Sequence, residues 1–156
     1  MIDIMSWGRC EREFIRHIEK DPAKIASLVS AAAKRMNLIT TIIVDTDTVS
    51  FVIEGYYEVI KELLVAYLLK NGLKSSNHQC LIRYFYKENN DNEYETDVIA
   101  QLSYYRNRLN YYGDLIPISV YEKYQDDIPK IIKLLKELIG KEEHRQQSKD
   151  NTPTEN

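Results

Sequence analysis

The amino-acid sequence predicts an all-α protein, an up-and-down bundle of four or five helices over residues 1–140. Three observations predict it. Apolar residues recur at steps of three and four over long stretches. Glycine and proline fall at the ends of those stretches, with no Asn-Gly or Asp-Gly hairpin signal. No segment of strand length alternates apolar with polar residues.

An N-terminal helix over about Gly8 to Lys20 is expected to lie across the bundle. Asp21-Pro22 then starts a long helix, with Asp21 as N-cap and Pro22 in the first turn, where its missing N–H costs nothing. Ile25, Leu28, Ala32, Met36, Ile39 and Ile43 form its buried stripe. The short polar run Asp45 to Thr48 breaks the pattern. A second stripe through Val52, Tyr56, Val59, Leu63 and Ala66, widened by Ile53, Ile60, Leu64 and Tyr67, predicts the most buried helix, ending at the left-handed C-cap signal Asn71-Gly72. A shorter helix follows from about Ser76 to Lys87, capped by Ser75 or Ser76, with Leu81, Ile82, Tyr84 and Phe85 inward. Val98, Leu102, Tyr105, Leu109 and Tyr112 make the next stripe, stopped by Gly113. Ile118 to Tyr124 form a separate turn or helix, because Pro129 forces the last helix to start near Asp126 or Asp127. That helix buries Ile128, Ile131, Leu135 and Leu138. Residues 141–156 carry no apolar side chain and are expected to be a disordered polar tail.

Composition narrows the function classes. The 156 residues carry 21 Lys plus Arg against 24 acids, a net charge of -3, which argues against duplex binding driven by bulk positive charge. Cys10 and Cys80 stand 70 positions apart with no CxxC spacing. Neither a disulfide framework nor a zinc site is expected from them, and the reading is a reduced, cytoplasmic protein needing no metal or cofactor. The N-terminus has no signal-peptide pattern, and the longest apolar runs, Leu38 to Val44 and Leu63 to Leu69, are too short to span a bilayer.

The densest polar constellation is the end of the fourth stripe, Tyr104 to Gly113. With Leu102, Tyr105, Leu109 and Tyr112 inward, Arg106 and Asn110 stack one turn apart on an adjoining face. Arg106 suits a phosphate or carboxylate through paired hydrogen bonds. A structural reading competes: Glu88 to Asp97 holds five acids and the helix end two arginines, a polarity that suits the helix dipole by itself. Glu54, Glu58 and Glu62 form a carboxylate row along the second stripe, where Glu58 can pair with Lys61. His78 falls in a first turn, where capping or packing is the ordinary role. Twelve tyrosines against three phenylalanines suit half-wet surfaces and interfaces; the reading is a symmetric homodimer, and a wide, partly wet core lined by tyrosines stands evenly beside it.

The segments RNRLNYYG (106–113), EGYYEVIKELL (54–64) and NGLKSSNHQCLIRYF (71–85) resemble the HEPN superfamily, in particular its small single-domain members. The similarity covers about Asp21 to Gly140. The resemblance implies a helical bundle that dimerises and, in many members, a metal-independent RNase with an Arg and a later His lining the dimer cleft. Here Arg106 matches the arginine and Asn107 the polar residue after it. The histidine position falls on Tyr111, or on Asn110 or Tyr112, and none of these is His. A phenol is a poor base at neutral pH and an amide does not titrate. RNase activity is therefore expected to be absent or strongly reduced.

What the resemblance leaves is an RNA- or nucleotide-associated module of toxin–antitoxin or defence type. Arg106, Asn107 and Tyr111 form its centre. Arg108, Asn110, Tyr112, Glu54, Glu58 and His78 stand as further binding or positioning residues, Glu54 or Glu58 holding Arg106. Two alternatives stand beside this. One is an active metal-independent endoribonuclease using Tyr111 or His78. The other is a non-catalytic partner subunit of a small nucleotidyltransferase, for which Tyr111 and Tyr112 are attractive although Gly113 occupies the expected tyrosine position.

Overall fold

The computed structural model describes residues 3–150, and the side chains of residues 3–141. It is predominantly helical: α1 (Trp7–Glu13), α2 (Pro22–Ile39), α3 (Val49–Lys70), α4 (His78–Glu88), α5 (Glu93–Tyr112), α6 (Ile118–Tyr124) and α7 (Asp127–Asp150). Two strands, β1 (Arg16–His17) and β2 (Leu73–Lys74), pair antiparallel with Arg16 opposite Lys74.

The helix α3 is the hub and packs against α2, α4, α5, α6 and α7. Val52, Ile53, Tyr57, Val59, Ile60, Leu63, Leu64 and Ala66 are all fully enclosed there, which fits a sequence apolar nearly all round. The sequence puts Tyr56 in that stripe, yet Tyr57 is the tyrosine sealed inside. Asn71 and Gly72 end the helix as expected, with Gly72 at φ 73°. Likewise Asp21 Oδ1 accepts from the Lys24 amide at 3.0 Å, and Gly113 closes α5 at φ 69°.

Several expected boundaries move. The N-terminal helix stops at Glu13, because β1 takes Arg16 and His17 into the ladder and Ile18 donates to Gly72. α2 ends at Ile39, where the hydroxyls of Thr40 and Thr41 bond back to the carbonyls of Asn37 and Leu38; Ile43 is consequently exposed and not in the stripe. The cap of α4 is Asn77, whose Oδ1 accepts from Cys80 N at 3.1 Å, while Ser75 Oγ accepts from Asn77 N. Tyr112, expected inside, is exposed. α7 runs to Asp150, through a stretch expected as tail; Lys, Glu, Arg and Gln there are strong helix formers that need no apolar face. The rest of the expected tail, residues 151–156, lies outside the described residues.

The simple up-and-down order also fails between α3 and α4. Tyr57 of α3 meets His78 at the start of α4, and Tyr67, further along α3, meets Tyr84 and Asn89 at its end. The two helices therefore run in the same sense, and residues 71–77 carry the chain back along α3 to start α4 beside Tyr57.

The cysteines are corrected outright. Cys10 and Cys80, both fully buried, form a disulfide with Cα atoms 5.4 Å apart. α1 lies against α4 and brings the two within bridging range, which sequence spacing cannot show. A bonded pair removes the cysteine argument for a reducing compartment. Arg83 fastens the same region by donating to the carbonyls of Met5 and Ile4 at 2.9 and 3.0 Å. No described helix is long and apolar enough to cross a membrane.

Candidate functional site

The return of the chain along α3 puts the first turn of α4 beside the last third of α5. Between them opens a depression of about 310 Å³ lined by Ser76, Asn77, His78, Gln79, Arg106, Asn107 and Tyr111. Three residues expected at the centre, Arg106, Asn107 and Tyr111, thus share one surface, and His78 joins them. Sequence reading ranked His78 as a cap or packing residue; Asn77 does the capping and His78 faces the depression.

Arg106 is held but not sealed. Its Nη2 lies 3.1 Å from Glu58 Oε1, the two side chains being 17% and 16% exposed, and its Nη1 donates to Asn107 Oδ1 at 3.3 Å. Glu58 is shared, since its other oxygen accepts from Lys61 as the i, i+3 spacing predicts. Burial pushes the Glu58 carboxyl up, but hydrogen bonding and charge from Lys61 and Arg106 outweigh it and leave it below the usual carboxylate range. Lys61 and Arg106 thus both face the Glu58 carboxylate.

His78 is tied from behind. Its Nδ1 stands 3.0 Å from the phenol oxygen of Tyr57, which is fully buried on α3. Burial, followed by the charges of Lys61 and Arg106, pulls the imidazole below its ordinary value against the opposing pull of Glu58. His78 is therefore neutral near pH 7. Burial likewise pushes the Tyr57 phenol up, with Ser103 and Arg106 acting the other way.

The remaining predicted residues do not converge here. Arg108 pairs with Asp114 and covers the ring of Tyr112 at 4.8 Å, which accounts for both outside the depression. Asn110 is exposed beside them. Glu54 bears on Arg35, which pairs with Glu62 at 2.8 Å, while the ion pair of Arg106 is with Glu58. Sequence reading missed Tyr57 as the support of His78, and Ser76 and Gln79 as lining. The pair Tyr57 and His78 spans 21 positions across two helices and leaves no local signal.

A larger cleft of about 590 Å³ between α2 and α7, walled by Pro22, Ile25, Val29 and Ile139 with lysines around it, contains none of these groups. Among the described residues no cluster of His, Cys, Asp or Glu is arranged to hold a metal ion. Compared with family models, curated proteins and solved structures, the chain matches none.

Proposed function

We propose that the chain is a HEPN-like, RNA- or nucleotide-associated module of toxin–antitoxin or defence type, whose working centre takes up a phosphate group at Arg106. One observation carries the reading: Arg106 and His78, from different helices, line one open depression. Tyr111, 74% exposed at its rim, offers a ring on which a base can stack. The test is binding of a labelled single-stranded RNA at several salt concentrations. Arg106→Ala is expected to lose most of the affinity and to flatten the salt dependence; equal binding by the variant overturns the proposal.

His78 favours a second reading, a metal-independent ribonuclease, because it brings a titratable group to a motif that lacks one on α5. Cleavage in the presence of a chelator, abolished in both His78→Ala and Arg106→Ala, is its signature.

The homodimer belongs to the same proposal. The Ile116 amide donates to Ser50 Oγ at 2.8 Å and so brings the exposed Leu115 to the start of α3, where Phe51 is also exposed. Sedimentation of the protein and of Phe51→Asp is expected to show a dimer and a monomer; a monomeric parent protein removes this part of the reading.

A further inference from the structure

Resting on the phosphate-site reading above, we infer that His78 acts as a hydrogen-bond donor to the bound phosphate through Nε2–H, in a tautomer set by the buried phenol of Tyr57. The phenol oxygen and His78 Nδ1 are 3.0 Å apart, so one of them donates to the other. Burial keeps the phenol protonated, and a phenol O–H is a stronger acid than a neutral imidazole N–H. Tyr57 therefore donates and Nδ1 accepts. The Ser103 hydroxyl bears on the same phenol from α5 and acts against its upward shift. With Nδ1 occupied as acceptor, the neutral ring carries its proton on Nε2. The one side-chain hydrogen bond of His78 among the described residues is at Nδ1, which leaves Nε2 open.

The charged groups around the ring agree with this state. Lys61 from α3 and Arg106 from α5 oppose a second proton, and Glu58 of α3 offsets them in part. The depression then presents donors from both sides, the Arg106 guanidinium and the His78 Nε2–H. A phosphate group, which offers only acceptors when ionised, is the complementary partner. The same tautomer gives His78 no bare nitrogen toward the ligand, so it binds without abstracting a proton. Tyr57 is a positioning residue, because it acts through His78 and does not touch the ligand.

Long-range nitrogen–proton NMR of the labelled protein tests this directly, with His78→Gln used to assign the ring. The expected spectrum shows His78 protonated at Nε2, a tautomer mixture in Tyr57→Phe, and inorganic phosphate perturbing the Nε2 signal. Phosphate affinity is expected to fall about three- to tenfold in Tyr57→Phe, as for loss of one oriented hydrogen bond. If Tyr57→Phe does not fold, His78→Gln keeps an amide N–H near the place of Nε2 and is expected to recover part of the affinity that His78→Ala loses. A proton on Nδ1 in the parent protein overturns the inference while leaving Arg106 as a phosphate anchor. No phosphate binding despite a proton on Nε2 overturns the phosphate-site reading and the ligand assigned to His78 with it.

Discussion

The carboxylate of Glu58 lies 3.1 Å from the guanidinium of Arg106, and Lys61 holds its other oxygen. The depression is therefore pre-organised and partly neutralised by the same residue. Glu58→Gln removes a negative charge within a few ångströms of the anion position while keeping the shape. At low salt this is expected to tighten phosphate or RNA binding on the order of tenfold, and the gain should shrink as salt rises. Titrations of both proteins at two ionic strengths check it; an unchanged affinity means that Arg106 does not meet the ligand.

His78 links stability to pH in a defined direction. Its folded value lies below the ordinary 6.5, because burial and two nearby cations disfavour the imidazolium. Between the two values the unfolded chain binds more protons, so the contribution is full above 6.5 and is lost as the pH falls through 6.5 toward the folded value. Melting temperatures of the parent protein and His78→Gln are expected to diverge across that window, the parent falling more steeply toward acid. Parallel curves exclude a depressed histidine.

How much of this was legible in the sequence depends on the range of the interaction. Asp21 capping α2, Gly72 and Gly113 ending their helices, and Glu58 pairing with Lys61 all act within one helical turn and could be read directly. Arg106, Asn107 and Tyr111 were singled out by the resemblance, and all three line the depression, whereas the helical-face reading joined Arg106 to Asn110, which does not line it. His78 could not be placed, because its position depends on residues 71–77 doubling back along α3. The burial of Tyr57 instead of Tyr56, and the exposure of Tyr112, were decided by packing between helices that one strand of periodicity does not encode.

Tyr111 separates binding from folding. It is 74% exposed, so Tyr111→Ala is expected to change stability by less than about 0.5 kcal/mol. The loss of one stacked base is worth about 1–3 kcal/mol, and RNA affinity should fall accordingly. Chemical denaturation and RNA titration on the same preparation measure both; a large stability loss with unchanged affinity contradicts the assignment.

The disulfide between Cys10 and Cys80 gives a stability prediction. Closing a loop across a separation of 70 residues stabilises the folded state by about 4 kcal/mol in the chain-entropy model. Paired Cys10→Ser and Cys80→Ser substitutions are expected to lower the melting temperature by several degrees or more. Hydrogen exchange should then show α1, whose main packing partner is α4, opening first.

That bond has a topological result as well. It ties the residues from Cys10 to Cys80, α2 and the central helix α3 among them, into a covalent ring with two loose ends. Even fully denatured, the oxidised polypeptide retains this lasso, so it should migrate faster on a denaturing gel without reductant than with it. A protease nick anywhere in the ring would open the backbone yet leave both pieces travelling as one molecule until a thiol is added.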